Sequence, residues 1–180
     1  MRRETKSDKI WQLRLKRLAD NIETLGKKDE AVVAQAREII GLRHRAASEL
    51  HAICADFVDS LNQLLPEAVV RLDPLEFGTD GFREEGANLF QINVRGRILQ
   101  VEFAATDELV STEEFRVPYT LEGTVRAFNQ RLLDKDLIEE QMLFYTVESH
   151  RRMWRFFDAR TYRSGPFDRD YLLALMEQIV

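Results

Sequence analysis

The 180-residue sequence is poor in the residues that common catalytic and cofactor sites require. Its single cysteine, Cys54, excludes an internal disulfide, so the reducing cytoplasm is the expected compartment. Its eight glycines form neither of the glycine-rich patterns that cradle phosphate groups, and no serine stands in a nucleophile elbow. The sequence therefore carries no signature of a common nucleotide-binding or serine-hydrolase domain.

Long apolar runs are also missing. No stretch approaches the about 18 consecutive apolar residues of a membrane span, so we expect no membrane association. Residues 1–6 lead into an amphipathic segment and not an apolar one, so we do not expect a secretory signal.

Charge is unevenly distributed along the chain. Residues 1–28 carry nine Lys/Arg and four Asp/Glu, a balance of +5, whereas the remaining residues carry 17 and 27, a balance of −10. A basic end can contact nucleic acid, but a net charge of −5 disfavours binding to a phosphate backbone. We therefore expect the basic end to meet an acidic surface of its own chain or of a sister chain.

The longest periodic pattern covers residues 29–65 and predicts a long helix. Its apolar positions are alternately three and four residues apart, as in a coiled coil, with Arg43 filling the one missing position. These positions are Val33, Ala36, Ile40, Ala47, Leu50, Cys54, Phe57, Leu61 and Leu64. Pro66 is expected to end the helix because it lacks a backbone donor.

A shorter helix is predicted from about Thr5 to Leu25. Its apolar residues repeat the same spacing; they are Trp11, Leu15, Leu18, Ile22 and Leu25. Gly26 suits a helix C-terminus, Asp29 suits the N-cap of a following helix, and the pattern loses phase between them. We therefore expect residues 1–65 to form a helical hairpin. One continuous helix is the alternative, because a glycine inside a helix costs only about 1 kcal/mol.

Alternating patterns after residue 66 predict an antiparallel meander of five to six strands, the first at 68–71. The clearest hairpin has a two-residue Arg95-Gly96 loop that pairs Ile92 with Leu99 on one apolar face. Further strands are predicted at 115–121, 141–147 and 153–157, and Pro118 indicates an edge position for the first of them. Residues 123–138 fit either a helix or an extension of that strand.

The chain is predicted to end in a helix with Asp168 as its N-cap. Its buried face is expected to comprise Leu172, Leu175, Met176 and Ile179. The order of elements indicates an α+β fold, with a coiled-coil-like helical hairpin, a meander and a C-terminal helix. We expect residues 1–65 to form a helical arm and 66–180 the sheet and last helix, within one structural unit.

Residues 144–171 combine eight aromatic side chains with arginines, a composition that can stack flat ligands or hold anions. The candidate ligand-binding residues in this stretch are Trp154, Arg155, Arg160 and Tyr162. A simpler interpretation is that the aromatic residues form a sheet core and the arginines its solvent face. Neighbours along a strand point to opposite faces, which separates Trp154 from Arg155.

Histidine and cysteine positions favour neither a metal site nor catalysis. His44 and His51 are about 10 Å apart along a helix, too far to share one metal ion, and Cys54 adds at most one ligand to His51. Cys54 falls on the apolar stripe and is expected to be buried and unreactive. We predict no metal, no cofactor and no catalytic residue. An enzyme using His150 and Asp158 as acid and base is the weakest hypothesis.

The leading hypothesis is a non-enzymatic cytoplasmic interaction protein that self-associates, because the first helix can cover only part of the long apolar stripe. A two-fold dimer is expected to use Arg43, Ala47 and Leu50, with an acidic residue of the second chain meeting Arg43. Another protein is a second candidate partner. The alternative hypothesis is a small-ligand-binding or sensory domain with a pocket at the four ligand-binding candidates.

Overall fold

A computed structural model describes residues 6–112, 115–129 and 139–180. By compactness the chain divides into two units, Met1–Ile40 and Gly41–Val180. The first helix, α1 (Lys6–Leu64), contributes residues to both units. The second unit adds an antiparallel sheet and a C-terminal helix, α2 (Arg169–Ile179), so the predicted α+β class is confirmed.

The sheet is a meander in which each strand pairs with the next one along the chain. Its strands are β1 (Val70–Asp73), β2 (Asn88–Val94), β3 (Arg97–Val110), β4 (Tyr119–Phe128), β5 (Glu139–Glu148), β6 (Arg151–Asp158) and β7 (Arg163–Pro166). A short 3-10 helix, Thr79–Gly81, lies between β1 and β2. Neither described helix combines the length and apolar character needed to cross a bilayer.

The predicted helical hairpin is wrong, because α1 passes through Gly26 and Asp29 without a break. Gly26 does not adopt the left-handed conformation typical of a helix C-terminus. Lys27 and Glu23, one turn apart, form an ion pair at 2.8 Å across the glycine. The cost of one helical glycine, about 1 kcal/mol, is small beside the helix-forming residues on both sides. The alternative prediction, one continuous helix across Gly26, is therefore confirmed.

The predicted hairpin between β2 and β3 has the expected register. Ile92 lies opposite Leu99, and Phe90 opposite Val101. Arg95 and Gly96 both have positive φ, 52° and 86°, as a two-residue type I′ turn requires. The side chain of Asn93 accepts a hydrogen bond from the Gly96 N–H at 2.9 Å and holds the turn closed.

The described residues form seven strands, where five to six were predicted, because β7 was missed. Its sequence, Arg163-Ser-Gly-Pro166, looks like a turn, yet at a sheet edge the missing N–H of a proline is harmless. The edge position predicted for the 115–121 strand is wrong. β4 begins only at Tyr119 and lies between β3 and β5, with Pro118 just before it. In the ambiguous stretch 123–138 the strand continues to Phe128, and residues 130–138 lie outside the described part of the chain.

The main core forms where α1 and α2 pack on one face of the sheet, which we call the inner face. From Leu42 onward α1 contributes Leu42, Ala46, Ala47, Leu50, Cys54, Phe57 and Val58. The sheet contributes large side chains such as Phe90, Phe103, Leu121 and Trp154, and α2 contributes its predicted buried face. The predicted N-cap is confirmed, because Asp168 accepts a hydrogen bond from the Tyr171 N–H at 2.9 Å.

A smaller cluster covers part of the opposite, outer face of the sheet. Phe144 and Phe157 project from β5 and β6, and Phe115 stacks on Phe144 with ring centroids 4.4 Å apart. Leu143 and Tyr145, the sequence neighbours of Phe144, lie in the main core. Strand β5 is therefore covered on both faces here, which suits its uninterrupted apolar sequence.

Leu99 tests this register. Leu99→Ala is expected to lower the free energy of unfolding by about 2–5 kcal/mol, because a fully buried leucine leaves a cavity. Urea titration measures the change. Leu89→Ala is the matched control, since Leu89 lies on the outer face and is 46% exposed. A loss below about 1 kcal/mol for Leu99→Ala, similar to the control, would contradict the assigned core face.

Candidate functional site

The first half of α1 carries an uncovered apolar stripe. Its five leading residues are spaced four, three, four and three apart and are 45–61% exposed; they are Trp11, Leu15, Leu18, Ile22 and Leu25. We call these five residues the exposed stripe. Single exposed apolar residues are common on proteins, but a continuous row at coiled-coil spacing is typical of a surface that packs against another helix or groove.

Apolar exposure continues along α1 until the sheet covers the helix. Val32, Val33 and Ile40 are still 43–66% exposed, whereas Leu42 is 6% exposed. Asp29 stands where the four–three spacing would place the next apolar residue after Leu25. The five residues of the exposed stripe are therefore the longest uninterrupted part of this surface.

A second apolar surface lies at the other end of α1, within the Gly41–Val180 unit. It is an open groove of about 400 Å³ between the end of α1, the strand pair β1–β2 and α2. Its lining residues are Phe57, Leu61, Leu65, Val70, Val94, Leu173, Met176, Glu177 and Val180. Leu65, Leu173 and Val180 on its walls are all exposed. We call this feature the apolar groove.

Arg43 is the centre of a buried polar cluster between α1 and the sheet. Its Nε donates to the Thr120 hydroxyl at 2.8 Å, and another guanidinium nitrogen donates to the backbone carbonyl of Thr106. The third nitrogen pairs with a carboxylate oxygen of Glu84 at 2.9 Å. His44 lies on the rim of this cluster, with its Nε2 3.9 Å from the second oxygen of Glu84.

Irregularities in the sheet place the acceptors of this cluster. The pairing of β4 with β5 shifts register between Tyr119 and Leu121, which is where Thr120 lies. The pairing of β3 with β4 shifts register just after Ala105, at Thr106. Such bulges commonly reorient side chains and free backbone groups. They provide the buried oxygen atoms that a charged guanidinium needs in order to lie beneath a helix.

The three residues predicted for self-association lie in the chain's own core. Ala47 and Leu50 are fully buried under the sheet, and Arg43 is 7% exposed. An acidic residue of a second chain was predicted to meet Arg43, but the carboxylate that pairs with it is Glu84 of the same chain. These residues hold α1 to the sheet, and the exposed stripe lies closer to the N-terminus.

The four predicted ligand-binding residues do not form one cluster. Trp154 is buried on the inner face, where its indole N–H donates to the Ala46 carbonyl at 2.7 Å. Arg155 is the next residue along β6 and therefore points to the outer face. Arg160 and Tyr162 are exposed in the turn between β6 and β7. The aromatic and basic residues of this region thus divide between the core and the solvent.

An open cavity of about 450 Å³ lies beside these residues, between the ends of β6 and β7 and one side of α2. Asp158, Arg163 and Tyr171 are among its lining residues, and none of the four predicted residues lines it. The Arg160 N–H donates to Asp158 and lowers the pKa of this carboxyl below its usual value. The Tyr171 hydroxyl donates to Gln141 at 2.7 Å, and burial raises the pKa of this phenol.

The acid/base pair of the weakest hypothesis is widely separated. His150 lies in the turn before β6 and Asp158 is the last residue of that strand, so about 26 Å of extended chain separates them. Among the described residues, no three His, Cys, Asp or Glu side chains are grouped so that they could hold a metal ion. Cys54 is fully buried, and this burial raises the pKa of its thiol to about 12, which makes the thiolate rare at neutral pH.

Comparison of the chain with protein-family models, with curated proteins and with solved structures gives no match. The candidate surfaces are therefore argued from their own geometry. The exposed stripe was visible in the sequence as a spacing. The apolar groove was not, because its walls come from three elements that are far apart in the chain.

The Arg43 cluster can be tested by removing its charge. Arg43→Leu is expected to reduce the free energy of unfolding by about 2–4 kcal/mol, because Glu84 and Thr120 lose a buried partner. Urea unfolding gives the value, and Arg45→Leu, an exposed arginine on the same helix, is the control. Glu84→Gln should cost less in the Arg43→Leu background than in the wild-type chain, because the two side chains interact. Equal losses for the two arginine variants would contradict the structural role of the cluster.

Proposed function

We propose that this chain is a non-enzymatic interaction protein that self-associates through the exposed stripe on the first half of α1. The observation that carries the proposal is the row of five large apolar side chains at coiled-coil spacing, all 45–61% exposed on a helix that continues into a packed core. A helix that only linked two parts of the chain would be expected to be polar on every side.

Several further features support an interaction role over catalysis. The buried polar cluster around Arg43 is built into the contact of α1 with the sheet, and the Cys54 thiol is fully buried. The lone cysteine also suits a reducing compartment, so we extend the proposal to the cytoplasm. A second copy of the chain is the partner we propose, because a two-fold dimer uses the same surface on both copies and needs no other component.

Sedimentation equilibrium at micromolar concentration tests self-association. The wild-type chain is expected to sediment at about twice its mass of 21.1 kDa. Leu18→Asp is expected to raise the dimer dissociation constant by at least about tenfold, because it places a charge in the middle of the exposed stripe.

Leu13→Asp is the matched control for this measurement. Leu13 is 68% exposed on the same helix, but it points about 140° away from Leu18 around the helix axis. Both variants make the same change in side chain and charge, so their difference reports the stripe alone. A monomeric wild-type chain, or an equal effect of both variants, would contradict self-association through the stripe.

The cavity beside Asp158 favours a second candidate function, the binding of a small polar ligand. Carboxylate, guanidinium, amide and phenol groups meet there around the ring of Phe156, which stacks on Tyr171 with centroids 4.2 Å apart. Mixed apolar and polar linings of this kind are typical of small-molecule sites. A monomeric chain in the sedimentation experiment would make this cavity the leading candidate.

A further inference from the structure

The exposed stripe and the apolar groove are both left uncovered by the described residues, and they differ in their charged surroundings. The exposed stripe lies in a basic segment, since residues 1–28 have a balance of +5. The apolar groove lies in the remainder of the chain, whose balance is −10. Among the described residues that line the groove, Glu177 alone is charged, and it is acidic.

The charges beside the exposed stripe disfavour its pairing with a second stripe. In a coiled coil, opposite charges on the positions flanking the apolar residues hold the two helices together. The flanking positions of the stripe are Gln12, Arg14, Ala19, Asn21, Gly26 and Lys28. Two of these side chains are basic and none is acidic. Two stripes side by side would therefore form no ion pairs through these positions and would bring two basic segments together.

The length of the stripe leads to the same conclusion. Trp11 to Leu25 spans about two heptads, fewer than the about three to four over which a coiled-coil pattern is usually sustained. A stable interface buries about 800 Å² on each partner, which needs more apolar surface than one short stripe supplies. The groove offers additional apolar walls, among them Leu65, Leu173 and Val180, that no described residue of the chain covers.

We propose that the exposed stripe of one copy docks in the apolar groove of a second copy. This inference rests on the self-association proposed above and names the surface that receives the stripe. Each copy carries one stripe and one groove, and a two-fold dimer that exchanges them contains the contact twice. The apolar side chains of the stripe, a tryptophan, leucines and an isoleucine, match the apolar walls of the groove.

The charges also indicate which wall of the groove the basic residues of the docked helix contact. Val94 of β2 lines the groove, and its strand partner is Arg97, so a basic residue lies near this wall. Glu177 stands on the α2 wall. The flanking basic residues of the stripe, Arg14 or Lys28, therefore meet Glu177, and low ionic strength tightens the dimer.

Disulfide trapping between two different full-length variants tests this contact. Leu18→Cys places a thiol in the stripe, and Leu173→Cys places one on the exposed rim of the groove. One variant is labelled uniformly with a heavy nitrogen isotope so that masses distinguish the products. The two are mixed while dilute, concentrated to the micromolar range and oxidised. The native Cys54 is buried and does not compete, as the wild-type chain in parallel confirms.

The expected product is the mixed dimer of the two variants, in at least fivefold excess over either homodimer. Leu13→Cys in place of Leu18→Cys is the matched control and is expected to give little mixed dimer. A predominant Leu18→Cys homodimer would overturn the groove assignment and leave self-association through the stripe intact. A wild-type chain that sediments as a monomer, with no trapped dimer of any kind, would overturn both proposals.

Discussion

The structure depends on the close packing of α1 from Leu42 to Val58 against the inner face of the sheet. Two small residues, Ala46 and Ala47, lie at the centre of this contact and are fully buried. They leave room for the large Trp154 side chain, whose indole N–H donates to the Ala46 carbonyl at 2.7 Å. A carbonyl oxygen has two lone pairs, so it can accept this bond in addition to its helical one. The same tryptophan of β6 packs edge-on against Phe103 of β3 and Tyr145 of β5, which joins the helix to these three strands.

This contact also explains why apolar surface remains outside the core. The coiled-coil spacing of α1 starts at Trp11, whereas burial starts only at Leu42. Burial under the sheet stabilises the apolar residues of α1 from Leu42 onward. The apolar residues before Leu42 gain no such stability, and they lower solubility while they stay exposed. A monomer would lose nothing in folding if the exposed stripe were polar. Its apolar side chains are therefore best explained by a second contact that lies outside the packed core.

Local patterns in the sequence were enough to predict much of the fold. Register between β2 and β3 follows from the burial of Ile92 and Leu99 on one face and from the Arg95-Gly96 turn, and both are short-range signals. The N-cap at Asp168 is also local. Gly26 and Asp29 show the limit of such signals. Their cap preferences are worth only about 1 kcal/mol each, and the helix continues across them.

The parts that could not be predicted depend on contacts between distant residues. Glu84 is one of two adjacent glutamates in a loop, and nothing local shows that it meets Arg43, 41 residues earlier. The walls of the apolar groove come from residues between Phe57 and Val180. They become neighbours only when α2 packs beside α1 and the strand pair β1–β2 in the folded chain. The ligand-binding candidates show that nearness in sequence does not imply a shared surface. Trp154 and Arg155 are adjacent in sequence, but the strand separates them onto two faces.

Arg43 gives the packing of α1 a defined position along the sheet. Ala46, Ala47 and Leu50 make apolar contacts, which have little directionality. The guanidinium adds directional contacts, since its donors meet the Thr120 hydroxyl, the Thr106 carbonyl and Glu84 together. Replacing both partners of a buried ion pair by apolar residues often costs little, whereas removing one partner leaves the other unpaired. We therefore infer that the value of this pair lies in fixing the position of α1, whose last turns form one wall of the groove.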